Sequence, residues 1–257
     1  ELQYQPNHLA ASLRQGNTHA LGVLLPRINR NFFANVVNGI EQVATPAGYT
    51  LLITQSGEEF GREVEALKSL IHKRVDGVIL SVSVETRETA HLEALQQARI
   101  PLVQFDRVVD RLGSGTVVNA DREAGRQLMD HLVSQGYQRI AHLGGPQYLN
   151  VYRNRYQGYL DGLAAHGLPL REEWVAFDAL TQERGRACVA AWFDGQAQVP
   201  DAIMAASDFS ALGALLALQA RGITIPAEVG VSGYANEPFT ALMSPTLTSV
   251  EQRSDLI

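Results

Sequence analysis

Short apolar runs alternate along this chain with longer stretches in which apolar residues recur at helical spacing. The runs are ALGVLL (20–25), TLLIT (50–54), GVILSV (77–82), PLVQF (101–105), GTVVNA (115–120), RIAHLG (139–144), WVAFDA (174–179), AIMAAS (202–207) and GVSGY (230–234). Their length and apolar, β-branched character are those of buried strands. Between them, Phe33, Val36, Val37, Ile40 and Val43 mark one helical face that Pro46 and Gly48 terminate. Ala124, Leu128, Leu132 and Val133 mark a second before Gly136, and Leu212, Leu215 and Leu216 a third before Gly222. Strand and helix alternating along most of the chain predict an α/β fold, with parallel sheets covered by helices on both faces. In such folds right-handed crossovers put ligands at the carboxyl ends of the strands.

The cadence breaks once. After four strand–helix repeats the turn residues of VVDRLGSG interrupt it, and a second series starts at Asp121 and runs to the loop around Pro245. The pattern therefore predicts two similar Rossmann-like lobes, 18–119 and 120–245, with a ligand cleft between them. Residues 1–17 form a linker before the first strand, and 246–257, with the β-prone run LTSVEQ, are expected to return to the first lobe.

Composition narrows the function. A net charge of −6 argues against a broad polyanion-binding surface, so any nucleic-acid contact must be local. Cys188 is the only cysteine, which excludes an intrachain disulfide and a cysteine-based metal site. It reads as a small buried apolar residue. No apolar run approaches the ~20 residues that span a bilayer, and a basic patch with a following apolar stretch is missing at the start. These features lead to the expectation of a cytoplasmic protein with no membrane contact. The motifs of dinucleotide, P-loop, zinc-protease and nucleophile-elbow sites are all missing, and the seven histidines are scattered without ligand spacing. Neither an enzyme, nor a cofactor, nor a metal site is expected.

Several segments point to one family in order and spacing: YQPNHLAASL, LGVLLPRINRNFFANVVNGIEQVATPAGY, KRVDGVIL, PLVQFDR, VNADREAGRQLMDHLVSQGYQRIAHLGGP, RNRYQGYLDGL and MAASDFSALGALLALQARGITIPAEVGVSGYANEPFTALMSPTLTSVEQ. Along nearly its whole length the chain resembles the ligand-responsive transcription regulators of the lactose-repressor (LacI/GalR) family. The resemblance implies a periplasmic-binding-protein-like core that binds a small metabolite, a sugar or sugar acid, and forms a homodimer. It also implies control of operator DNA through a hinge and a helix-turn-helix that would precede this sequence. A periplasmic sugar receptor shares that core, but it has no use for the hinge-like segment YQPNHLAASL.

The same resemblance assigns site residues. Phe32 and Phe33 open the helix after the first strand, where relatives stack aromatics on the ligand; Phe32 is expected at the ligand and Phe33 partly in the core. Arg155 matches an arginine that holds effector hydroxyl or carboxylate groups through its planar fork of donors, whereas Arg153 reads as a surface residue. From the residues themselves, Ser81 and Asp106 are polar groups that break out of apolar runs at the carboxyl ends of strands three and four, so both are expected to face the cleft as ligand contacts, with a turn role beside Arg107 as the alternative for Asp106. Either Ser207 or Asp208 can cap the following helix; Asp208 reads chiefly as that N-cap, and Ser207, which matches a polar ligand contact, can do both jobs. Many relatives carry a ligand-binding aspartate where this chain has Ala235, and Asn236 offers an amide one residue later. With Arg30 at the cleft mouth, the loss of that acid favours an acidic ligand. The aromatic of the second lobe would fall near Leu180 or Thr181, and neither is aromatic. In the hinge, Asn7 caps a short helix, Leu13 wedges into the minor groove and Leu9 packs between paired hinges. That helix is too short to be stable alone and is expected to order only on DNA.

Overall fold

The structure is a computed structural model that describes residues 17–110 and 112–254. The hinge residues Asn7, Leu9 and Leu13 lie outside the described residues. Each of the nine apolar runs contributes a strand, and all strand pairs are parallel.

The first half contains β1 (Ala20–Leu25), α1 (Asn31–Ala44), β2 (Thr50–Gln55), α2 (Phe60–His72), β3 (Gly77–Leu80), α3 (Ala90–Gln97), β4 (Leu102–Phe105) and β5 (Gly115–Val117). Its sheet has the order β2-β1-β3-β4-β5. The interior strand β1 is buried from Val23 to Leu25, as a strand covered on both faces must be. The core on the α1 side joins Val23, Leu25, Phe32, Phe33, Val36 and Phe105.

The second half contains α4 (Asp121–Ser134), β6 (Ile140–Leu143), α5 (Asn150–Ala165), β7 (Val175–Ala176), α6 (Gln182–Phe193), β8 (Ala202–Ala205), α7 (Asp208–Gln219), β9 (Gly230–Tyr234) and β10 (Thr248–Val250). Its sheet order is β10-β9-β8-β6-β7. Numbered from each half's own first strand, both sheets read 2-1-3-4-5. In this order the switch point lies beside the first strand, between it and the third, and that is where open α/β sheets bind ligands.

The expected return of 246–257 to the first lobe is corrected in part. Thr248–Val250 pairs with β9 as the edge strand of the second sheet, and Asn119–Arg253 forms the second compact unit, with Ser254 belonging to the first. A run without a following helix can end a sheet as an edge strand, and it does so here.

One device recurs in both halves. The Asp76 Oδ1 accepts bonds from the Thr18 amide at 2.9 Å and the Thr18 hydroxyl at 3.0 Å, and its own amide donates to the Ala20 carbonyl. The Asp201 Oδ1 accepts from the amides of Gln138 at 3.1 Å and Arg139 at 2.7 Å, and its amide donates to the Arg139 carbonyl. In each half an aspartate just before the third strand fixes the entry of the first.

Candidate functional site

The carboxyl ends of the strands are built differently in the two halves. In the first, β3 runs into a loop that α2 holds through carboxylates. Glu63 is fully buried; its carboxylate accepts from the Ser83 amide, from the Thr86 hydroxyl at 2.8 Å and bonds the His91 Nε2 at 2.7 Å. The neighbouring Glu58 accepts from the Val84 amide at 2.8 Å and from the Arg107 Nη1 at 2.6 Å. In return the Phe60 amide donates to the Glu85 carboxylate. Burial alone would raise the Glu58 carboxyl, but the Arg107 guanidinium outweighs it and holds the group below its ordinary range.

This lattice carries the expected residues of the first half. Ser81 is buried directly after β3, and its hydroxyl accepts from the Arg107 amide at 3.4 Å. Asp106 follows β4 in a left-handed conformation, φ 56, and its amide donates to the Val117 carbonyl. Arg107 spends a guanidinium nitrogen on Glu58, a partner 49 positions away that the sequence did not suggest. Phe32 and Phe33 stand edge to face, 5.2 Å between centroids, and are equally buried. Both pack into the core cluster on the α1 side.

In the second half Arg155 is the centre. It is buried; its Nε donates to the Asp121 Oδ1 at 2.9 Å and its Nη1 to the Ala206 carbonyl at 2.8 Å. The guanidinium carbon lies 3.7 Å from the centroid of the Tyr234 ring, a cation–π contact in a water-poor setting. These partners come from the start of α4 and the ends of β8 and β9, so the arginine sits at the carboxyl ends of the strands.

Ser207 caps α7, its hydroxyl accepting from the Phe209 amide at 3.3 Å. Asp208 was expected as the cap and is not. It is the first helical residue, fully buried, and its carboxylate turns away to accept from the Glu237 amide at 2.7 Å and the Ser249 hydroxyl at 2.6 Å. Burial raises this carboxyl, and those bonds oppose the shift. Asn236 is exposed, with its Nδ2 donating to Glu251 at 2.6 Å and its Oδ1 accepting from Thr240 at 3.2 Å.

Sequence reasoning missed four features here. Asp121 reads as an ordinary acid in a first helical turn, yet it orients Arg155. Tyr234 was visible as an aromatic ending a strand, though its stacking was not. The pair of Glu63 and His91 comes from two helices and has no linear signature. Finally, an aromatic does stand at the second half's edge. Phe177 follows β7, is 40% exposed, and meets Tyr156 edge-on at 4.9 Å. Leu180 and Thr181 are three and four positions further on, and Thr181 caps α6. Among the described residues no group of three or more His, Cys, Asp or Glu could hold a metal ion, and no helix is long and apolar enough to cross a membrane.

Comparison with known proteins places these features in context. The profile of the family described as periplasmic binding proteins and sugar binding domain of LacI family matches residues 18–254. The ribose operon repressor of Halalkalibacterium halodurans is 31% identical over 256 residues, covering 98% of this chain and 73% of the relative. The HTH-type transcriptional repressor PurR of Actinobacillus pleuropneumoniae is 29% identical over 252 residues, or 98% and 74%. Among solved structures, a putative ribose operon repressor from Burkholderia thailandensis superposes with a TM-score of 0.83 at 30% identity, covering 92% of this chain and 87% of that one. A transcriptional regulator CelR–cellobiose complex gives 0.82 at 28% identity, covering 100% and 82%.

Proposed function

The chain belongs to the family of periplasmic binding proteins and LacI sugar-binding domains, and from that membership we propose that it senses a small sugar-like metabolite for a DNA-binding repressor. Its curated relatives are named repressors, and one similar structure is a cellobiose complex. The observation that carries the reading is Arg155, a buried guanidinium oriented by Asp121 and Tyr234 at the carboxyl ends of the second half's strands. A fork of fixed donors in that place suits vicinal hydroxyls or a carboxylate.

In this reading Arg155, Ser207 and Asn236 contact the effector from the second half, and Phe32, Phe33, Ser81 and Asp106 from the first. Phe177 supplies the stacking face that Leu180 and Thr181 cannot. The effector is acidic, a sugar acid or sugar phosphate, because Ala235 removes an acceptor that many relatives provide. Two copies pair, and the segment with Asn7, Leu9 and Leu13 meets operator DNA. The effector needs only different affinities for two dimer states, with a coupling of ~1 to 3 kcal/mol.

Isothermal titration of the chain with ribose, cellobiose, gluconate and glucose 6-phosphate tests this. The acidic sugars should bind more tightly, and Arg155→Lys should weaken binding by about 100-fold, because an ammonium cannot reproduce the bidentate fork of charged hydrogen bonds. A preference for an uncharged sugar would sink the acidic effector, and unchanged binding by Arg155→Lys would sink the assigned role of Arg155.

A further inference from the structure

Two successive residues after β9, Ala235 and Asn236, have left-handed backbones, with φ 108 and 46. Neither is glycine, and such conformations cost of order 1–3 kcal/mol each unless the surroundings impose them. The surroundings converge on one side chain. The Asp208 Oδ2 accepts from the Glu237 amide at 2.7 Å, and its Oδ1 accepts from the Ser249 hydroxyl at 2.6 Å. The Ser249 oxygen in turn accepts from the Asn236 amide at 3.0 Å. The Ala235 amide donates to the Val250 carbonyl. Three consecutive amides are thus fixed, two of them through Asp208.

The ordinary role of an aspartate at a helix start does not account for this arrangement. Capping of α7 is done by Ser207, and the Asp208 carboxylate leaves its own helix to bind residues 29 and 41 positions later. The sheet is shaped around it: a Cβ on Gly233 would lie 2.1 Å from the Asp208 Oδ1. Only glycine leaves room for that oxygen.

We propose that Asp208 is the positioning residue of the second half's ligand edge, holding Ala235 and Asn236 in left-handed backbone conformations that present Asn236 to the effector. The inference rests on the reading that this edge takes the effector. Charge-assisted bonds from a buried carboxylate are short and directional, which suits them to imposing a backbone geometry the local sequence would not adopt.

Amide hydrogen exchange on the whole chain reads the device without a ligand. In Asp208→Ala the Glu237 and Asn236 amides should exchange at least 100-fold faster, while those of Met204 and Leu143 in the sheet keep their protection. Asp208→Asn should restore protection to within 10-fold of the original protein, since its carbonyl can accept from Glu237 and its amide can donate to Ser249. If Asp208→Ala does not fold, Ser249→Ala cuts only the relay, and the Asn236 amide alone should exchange about 10-fold faster. Unchanged protection of Glu237 in Asp208→Ala, or of Asn236 in Ser249→Ala, overturns the proposal. Failure of rescue by Asp208→Asn also overturns it. Titration of the same variants with ribose, cellobiose, gluconate and glucose 6-phosphate separates the two levels. If none binds the unaltered chain, the sugar-like effector fails, while the exchange result still decides the role of Asp208.

Discussion

The two halves share strand order and an aspartate that anchors the first strand, yet they cover their sheets in different ways. In the second half the helices on each face interlock backbone to backbone. A Cβ on Gly158 of α5 would lie 2.3 Å from the Arg122 carbonyl of α4, and one on Gly213 of α7 would lie 2.1 Å from the Gln182 carbonyl of α6. In the first half α1 leaves Val43 three-quarters exposed and borders an apolar groove of about 940 Å³, lined by Leu21, Ile40, Val43, Ala44 and Ile79. Gly39 on the same helix has nothing within 4 Å of where its Cβ would be. The second half is closed by its own helices, whereas the first is held at the carboxyl ends of its strands by the buried Glu63 and the half-buried Glu58 and stays open on a flank. One topology therefore permits two sources of rigidity: helix pairing, and polar anchoring.

The strongest way to break this contrast is to remove the anchor. Glu63→Ala strips the acceptor from Ser83, Thr86 and His91 at once, and should cost the first half roughly 4 kcal/mol, since breaking a buried pair strands its partners. Urea unfolding of the chain would show it. A loss below about 1 kcal/mol would mean that the loop holds itself without Glu63.

Glycine substitutions should then divide by half. Gly158→Ala and Gly213→Ala force helix backbones apart and should each cost about 3 kcal/mol by overpacking. The comparison fails if thermal unfolding shows either to be neutral.

Acid should find the second half first. By register Val23 of β1 and His142 of β6 are equivalent, since their pairing partners Ile79 and Met204 each lie three positions past the anchoring aspartate. His142 is fully buried beside Tyr159, and burial together with the Arg155 charge pushes its pKa down to about 4. The unfolded chain takes up a proton near pH 6.5, and the folded chain resists until about pH 4. Stability is therefore complete above the unfolded value and falls as pH drops toward 4, by an amount on the order of 3 kcal/mol. Unfolding of His142→Phe measured from pH 7 to pH 4 should lack this part of the slope. An identical slope would place the sensitivity elsewhere.

The smallest effect has the opposite sign. Gly39→Ala in the open helix should stabilise by about 0.5 to 1 kcal/mol through helix propensity alone. Destabilisation of the isolated chain would show that the groove flank is less open than described.

The chain's own pattern revealed most of the fold because buried parallel strands must be short and apolar, and the helices between them must be periodic. Strand limits came out two residues long in both GVILSV and AIMAAS, since the chain leaves the sheet before Ser81 and before Ser207. At the strand ends a single residue type stood out in the sequence only where its chemistry suffices, as with the guanidinium of Arg155. An arrangement built on a distant partnership left no such signal. Nothing in the neighbourhood of Glu63 or Asp208 says that their carboxylates bind amides 20 and 29 positions away. Asp208 misled because an acid at a helix start has a local explanation that is usually sufficient.

The anchoring aspartates also bear on the order in which the chain can be made and folded. Thr18 lies 58 positions before Asp76, and Arg139 lies 62 before Asp201. As the chain leaves the ribosome, the first strand of each half has no anchor until the third is about to emerge. Neither half can anchor its first strand until its own aspartate has emerged, and nascent polypeptide should gain protease resistance in two steps rather than strand by strand.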